Sequence, residues 1–141
     1  MDPSLTLDDA KSVAQERETD LAAYVPSDAV ASIEQRPYGA LLSCDSERGY
    51  QWSGRTDVNY KPGSLVDPQA LVDSIVAAYA NQDGFTAESA PTADNQPGAH
   101  VIGEHGAGYL VNENTSRTAV QILSFSPCFV LPDGMSPSKQ Y

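Results

Sequence analysis

The sequence predicts an α+β fold of two layers, with helices packed on one face of an antiparallel sheet of about five strands. The first observation behind this prediction is the order of elements, helix-strand-strand and then helix-strand-strand-strand. A doubly wound parallel sheet needs strands and helices that alternate singly, and this order does not provide them. The second observation is a length of 141 residues, 40% of them apolar, which suits one domain with a substantial core. We expect a single domain over residues 1–131 and a loop-like, mobile tail over residues 132–141.

The first predicted helix covers residues 7–24. Thr6 and Asp9 have the spacing of a capping box, with Asp in place of the usual Glu. Apolar residues then recur at helical spacing until Pro26, which ends the helix. Residues 27–35 are predicted to form a short second helix.

Two strands and a longer helix are predicted to follow. Residues 38–45 and 49–59 form the strands, and the second alternates large and polar residues as a half-exposed strand does. Asp67 then caps a helix that has Pro68 at its first position, a preferred arrangement. An apolar stripe continues this helix to about Asp83.

The rest of the chain is predicted to consist of short strands separated by turns. The expected strands are residues 84–89, 99–103, 109–113 and 119–125. A Gly-rich hairpin turn at residues 103–108 and a polar turn at residues 114–117 separate the last three.

The charge balance excludes some classes of partner. Lys and Arg total 8 and Asp and Glu total 19, so the net charge is −11. Nucleic-acid binding needs a basic footprint, and an anionic membrane repels an acidic surface, so we expect neither as a direct partner. No apolar run approaches the ~18 residues that cross a bilayer. The first residues, Met1-Asp2-Pro3-Ser4, are polar and do not have the pattern of an export signal, so we expect either a cytoplasmic protein or a Met1 placed as a start codon after a removed signal.

The two cysteines bear on the compartment. Cys44 and Cys128 each end an apolar, strand-like run, and an even count at strand ends fits a disulfide between neighbouring strands. Two buried free thiols in a cytosolic protein are the alternative. Together with His100 and His105 the cysteines match no familiar zinc spacing, so we expect no metal and no cofactor.

The segment Tyr50-Gln51-Trp52-Ser53-Gly54-Arg55 is the candidate binding surface. Tyr50 and Trp52 share one face of the predicted strand and Arg55 follows closely. Aromatic residues and Arg are frequent anchors of binding surfaces. The alternative is that Trp52 packs under a helix with Tyr50 beside it.

Catalytic motifs are sparse. His100, Glu104 and His105 resemble a zinc-protease motif, but their spacing departs from both known forms and they fall across a strand and a turn instead of a helix. A nucleophile elbow, a phosphate loop and a dinucleotide fingerprint are all missing. We therefore expect no catalytic residues, and a small hydrolase of unrecognised type that uses these three residues is the alternative.

Four segments together resemble a known group of proteins. They are Leu41-Leu42-Ser43-Cys44, Tyr50-Gln51-Trp52-Ser53-Gly54, the helix after Asp67, and Phe125-Ser126-Pro127-Cys128-Phe129. They resemble the mature domains of small actinobacterial cell-envelope lipoproteins, including the mycobacterial LppA-like group, over most of residues 6–131. The resemblance implies an exported domain held at the membrane by a lipid anchor on a cysteine before residue 1, and it supplies no catalytic residues.

With the predicted disulfide and the missing catalytic motifs, this resemblance leads to a functional hypothesis. We expect an extracytoplasmic domain that binds an envelope protein or a small ligand without catalysis.

Overall fold

The computed structural model describes residues 4–45 and 47–141, and within these residues it has two helices and an eight-stranded antiparallel sheet. The predicted α+β class is confirmed, and the expected number of about five strands is too low. The elements are α1 (Leu7–Ala22), β1 (Val30–Gln35), β2 (Ala40–Asp45), β3 (Gly49–Tyr60), α2 (Pro68–Ala80), β4 (Thr86–Ser89), β5 (Gly98–Ile102), β6 (Gly108–Glu113), β7 (Ala119–Phe125) and β8 (Phe129–Val130).

The long strand β3 organises the sheet. β1 and β2 pair with successive parts of one edge of β3, and β7 and β8 pair with the other edge. Beyond β7 the order continues through β6 and β5 to β4. Every pairing is antiparallel, and residues paired directly across neighbouring strands have their side chains on the same face of the sheet.

Both helices cover the same face of the sheet. α1 packs on β3 and β7, and α2 packs on β4, β5 and β6. Residues of β3 therefore alternate between fully buried and half-buried. We call the side that no helix covers the open face.

Local sequence signals set the starts of both helices. The Thr6 side chain accepts a hydrogen bond from the Asp9 amide at 3.1 Å, and the Asp9 carboxylate accepts one from the Thr6 amide at 3.3 Å. The Asp67 carboxylate caps α2, which begins at Pro68. Both predicted caps are confirmed. None of the described helices combines the length and the apolar character needed to cross a bilayer.

The predicted helix over residues 27–35 is wrong. A single 3-10 turn at Ser27–Ala29 leads directly into β1. The apolar spacing in this segment is weak, and pairing with β3 from Ile33 to Gln35 stabilises an extended backbone instead. The second missed strand, β8, is only two residues long and has too little sequence for a periodic pattern.

The predicted disulfide is confirmed. Cys44 at the end of β2 is bonded to Cys128, with a Cα–Cα distance of 6.1 Å and a sequence separation of 84. Such bonds form and persist in oxidising compartments outside the cytoplasm, so the bridge indicates an environment of that kind.

The tail of residues 132–141 contains no helix or strand, but it packs against the domain. Gly39 and Tyr141 exchange two backbone hydrogen bonds of 2.9 and 3.0 Å. The indole Nε1 of Trp52 donates to the Tyr141 carbonyl oxygen at 2.7 Å. The Arg48 guanidinium donates to the carbonyl oxygens of Leu131, Pro132 and Met135.

Candidate functional site

β3 places the three residues of the predicted binding surface on two faces of the sheet. Trp52 is fully buried, and Tyr50 packs against the same apolar cluster beside α1. Arg55 lies on the open face, where its guanidinium donates to the Asp57 carboxylate at 2.9 Å. The three residues therefore form no single surface, and Trp52 has the core position that the alternative describes.

The residues of the hydrolase alternative are also divided between the faces. His100 lies on the open face of β5, with its Nδ1 3.5 Å from the Glu88 carboxylate. Glu104 and His105 lie in the β5–β6 turn and line a cleft on the helix side. Within the part of the chain that the structure describes, no three His, Cys, Asp or Glu side chains group closely enough to hold a metal ion.

This cleft, which we call the α1 cleft, lies between α1, the turn after α2 and the β5–β6 turn. Its volume is about 330 Å³. Val13, Phe85, Ala107 and Pro127 supply apolar walls. The polar and charged lining residues are Arg17, Asp83, Glu104, His105 and Tyr109.

Arg17 is the cation inside the α1 cleft. Its Nη1 donates to the Tyr79 hydroxyl at 3.0 Å and lies 3.3 Å from the Asp20 carboxylate. The guanidinium carbon is 4.6 Å from the centre of the Phe85 ring. Burial by itself lowers the pKa of Arg17, but the bond to Tyr79 and the charge of Asp20 outweigh it and raise that pKa. The group is therefore a fixed positive charge against an aromatic ring.

Tyr109 supplies a neutral hydroxyl at the same place. The side chain is 1% exposed, and burial raises the pKa of Tyr109 to about 12, although the nearby Arg17 partly opposes this. The hydroxyl is therefore protonated at neutral pH, where it acts as a hydrogen-bonding group and not as a base.

Hydrogen bonds to backbone groups hold the β5–β6 turn at the rim of the cleft. Gly103 and Ala107 close the β5–β6 turn with a hydrogen bond of 2.9 Å, and the Cys128 amide donates to the His105 carbonyl at 2.8 Å. The Gln51 side chain donates to the Gly106 carbonyl at 2.6 Å. These bonds connect the turn to β3 and to the segment that contains Cys128. The backbone that carries the Glu104 and His105 side chains is therefore held in place.

Sequence reasoning did not single out Arg17, Phe85 or Tyr109. A signal for Arg17 was present, because it falls between Ala14 and Leu21 on the apolar stripe of the first helix. A cation on such a stripe needs a partner inside the fold. Phe85 and Tyr109 carry no comparable signal, since tertiary packing alone brings them to Arg17.

Two further cavities differ in character from the α1 cleft. One of about 390 Å³ lies at the polar loops around Gln96 and Thr115. The other, of about 570 Å³, is a groove between the ends of α1 and α2 with Arg17 in its wall. Both also carry charges of both signs, but the lining of the α1 cleft is the most apolar of the three.

No known protein family model, curated protein or solved structure matches this chain.

Proposed function

We propose that this protein is an extracytoplasmic binding domain whose α1 cleft takes a small zwitterionic molecule with an apolar part, such as an amino acid or a short peptide. The observation that carries this proposal is the arrangement of charge in the cleft. One guanidinium, two carboxylates and several apolar side chains line the same cleft.

Arg17 is the group suited to a ligand carboxylate. Its bond to Tyr79 and its ion pair with Asp20 both use Nη1. A guanidinium has further donors besides Nη1, and two parallel donors form a bidentate pair with a carboxylate. The ring of Phe85 behind the guanidinium fixes its plane, so little side-chain entropy is lost on binding.

The rim and the walls favour the other parts of such a ligand. Asp83 and Glu104 supply carboxylates for an ammonium group, while Val13 and Pro127 supply apolar contact for a side chain. A cleft of about 330 Å³ is at the lower end of the volumes, about 300–1,000 Å³, that proteins use for small ligands. The site therefore matches an amino acid or dipeptide better than a larger molecule.

Calorimetric titration with defined probes tests this function. We expect L-phenylalanine or glycyl-L-phenylalanine to bind saturably. Phenethylamine, which lacks the carboxylate, and 3-phenylpropanoate, which lacks the ammonium, should each bind at least about tenfold more weakly. Absence of saturable binding by both zwitterions, or equal binding of all four probes, contradicts the proposal.

Two valine variants locate the binding. Val13 is 40% exposed at the mouth of the cleft, and Val130 is 38% exposed on the open face. Val13→Phe should block the cleft and abolish binding, whereas Val130→Phe adds the same bulk elsewhere and should leave it unchanged. Binding that survives Val13→Phe places the site outside the α1 cleft.

The proposal includes a lipid anchor, which follows from the sequence resemblance to envelope lipoproteins. The product of the full reading frame, expressed in its own host, should partition into the detergent phase of Triton X-114. The chain of residues 1–141 on its own should remain in the aqueous phase. A full-length product in the aqueous phase contradicts the anchor and leaves the binding function standing.

A small hydrolase is the second candidate, because Glu104 and His105 line the α1 cleft. Turnover in a broad hydrolase screen that is lost in His105→Ala, but kept in His100→Ala on the opposite face, would support it. Full turnover in His105→Ala, or no turnover at all, disposes of it.

A further inference from the structure

The open face of the sheet carries a second, independent surface. Two rows of side chains in register cross it from β3 to β4. The first row is Arg55, Leu123, Leu110, His100 and Glu88. The second row is Ser53, Phe125, Gly108, Ile102 and Thr86. Both rows are apolar in the middle and polar at the ends, as the centre and rim of a protein interface are.

We infer that this face binds a second copy of the same chain, sheet against sheet, about a twofold axis that runs along β6. β6 is the middle strand of each row, so the axis exchanges β3 with β4 and β7 with β5. Arg55 then faces Glu88 of the second copy at each end of the first row. In the second row Phe125 faces the second copy's Ile102, and Gly108 on the axis lets the two sheets approach.

Charge distribution selects a second copy over a basic partner. The chain has a net charge of −11, yet the two rows contain one Arg and one Glu and are neutral with His uncharged. The adjacent Asp57 is compensated by Arg55 at 2.9 Å and by Arg36 at 3.8 Å. A face for a basic protein would instead concentrate acidic side chains.

Exposed apolar side chains extend the patch. Leu42 is 42% exposed beside β3, and Ile102 and Val130 are each 38% exposed; the register places all three on the open face. Five strands at about 4.8 Å spacing, with a mean length of about 20 Å, cover about 500 Å² on each copy. The total of about 1,000 Å² is at the lower limit for a specific interface, so we expect a dimer with a micromolar dissociation constant.

Sedimentation velocity over about 2–200 µM protein tests this inference. The wild-type chain should shift from monomer to dimer across this range. Ile102→Lys should weaken the dimer at least tenfold, since two lysines enter the apolar centre. Ile33→Lys is the matched control, because Ile33 is 55% exposed but lies on β1 in register with the buried Val58, on the helix side.

A charge exchange tests the orientation of the two copies. Glu88→Arg alone should weaken the dimer by opposing Arg55, and Arg55→Glu added to it should restore association. The melting temperature of each variant shows that it is folded. A wild-type chain that stays monomeric to 200 µM overturns the inference, and so does a dimer that Ile33→Lys weakens as much as Ile102→Lys.

Discussion

Glu18 places a carboxyl group inside the interface between α1 and the sheet. The side chain is fully buried, and it accepts hydrogen bonds from the hydroxyls of Thr56, at 2.6 Å, and Ser124. Burial raises the pKa of Glu18, and these hydrogen bonds oppose that effect only in part. The residue therefore couples folding to proton binding.

The pH dependence of stability follows from this shift. Because the folded pKa of Glu18 lies above its ordinary value of 4.5, the folded state holds the proton more tightly than the unfolded state. The contribution to stability is fully present below pH 4.5 and is lost as the pH rises through the folded pKa. We expect Glu18→Gln to remove this loss. The unfolding free energies of the wild type and of Glu18→Gln, measured in urea from pH 4 to 8, test this expectation. Parallel pH profiles of the two proteins contradict it.

Gly54 fits its neighbours because it has no side chain. A Cβ at this position would lie 2.2 Å from Cη2 of Trp52 and 2.9 Å from a carboxylate oxygen of Glu18. Since both neighbours are buried, Gly54→Ala should cost about 3 kcal/mol of unfolding free energy. Gly108→Ala is the control, because its Cβ would be 3.5 Å from His100, an ordinary contact. Equal losses in the two variants, measured at 1 µM protein, contradict the steric explanation.

Among the elements, the helices and strands differ in how far local sequence determines them. The starts of α1 and α2 were predicted because Thr6 and Asp67 satisfy amides only two or three residues away. β1 was missed because its extended form depends on β3, from which a short connection and another strand separate it. The α1 cleft was not predicted for the same reason, because it depends on residues distant in sequence. Phe85 and Tyr109 meet Arg17 only after the two helices pack on the sheet.

The disulfide connects β2 to the segment before β8. It closes a loop with a sequence separation of 84, so replacing both cysteines with serine should lower the unfolding free energy by up to about 4 kcal/mol. Alkylation followed by intact mass measurement should show no reactive thiol in oxidatively produced protein until reductant is added. If two thiols react without reductant, the disulfide is contradicted and the alternative of two free thiols in a cytosolic protein is favoured.

The docked tail covers the single Trp of the chain. Deleting residues 136–141 removes the carbonyl that accepts from Trp52 Nε1 and the aromatic ring beside it. We expect a red shift of tryptophan emission and a loss of about 2 kcal/mol. Tyr141→Phe removes only the hydroxyl bond to the Ser136 carbonyl and should leave the emission unchanged. Identical emission in the deleted and complete chains contradicts the docking of the tail.

The whole molecule carries its excess of acid mainly outside the open face. With a net charge of −11, repulsion between carboxylates opposes folding, and salt screens it. Raising NaCl from 10 to 300 mM at pH 7 should therefore increase the unfolding free energy by about 1 kcal/mol. At pH 4.3, near the isoelectric point, the same change of salt should have little effect. A salt response of equal size at both pH values contradicts this account.

The position of β3 in the chain has a consequence for the order in which the sheet can form. Its partners on one edge precede it, whereas those on the other edge, β7 and β8, are the last two strands of the chain. Pairs this distant in sequence make folding slow. When the chain emerges with its N-terminus first, one edge of the 12-residue strand β3 stays unpaired until nearly the whole chain is present. Such an unpaired edge can pair with strands of other chains. This connectivity favours a chain that stays unfolded until its C-terminal strands have been delivered.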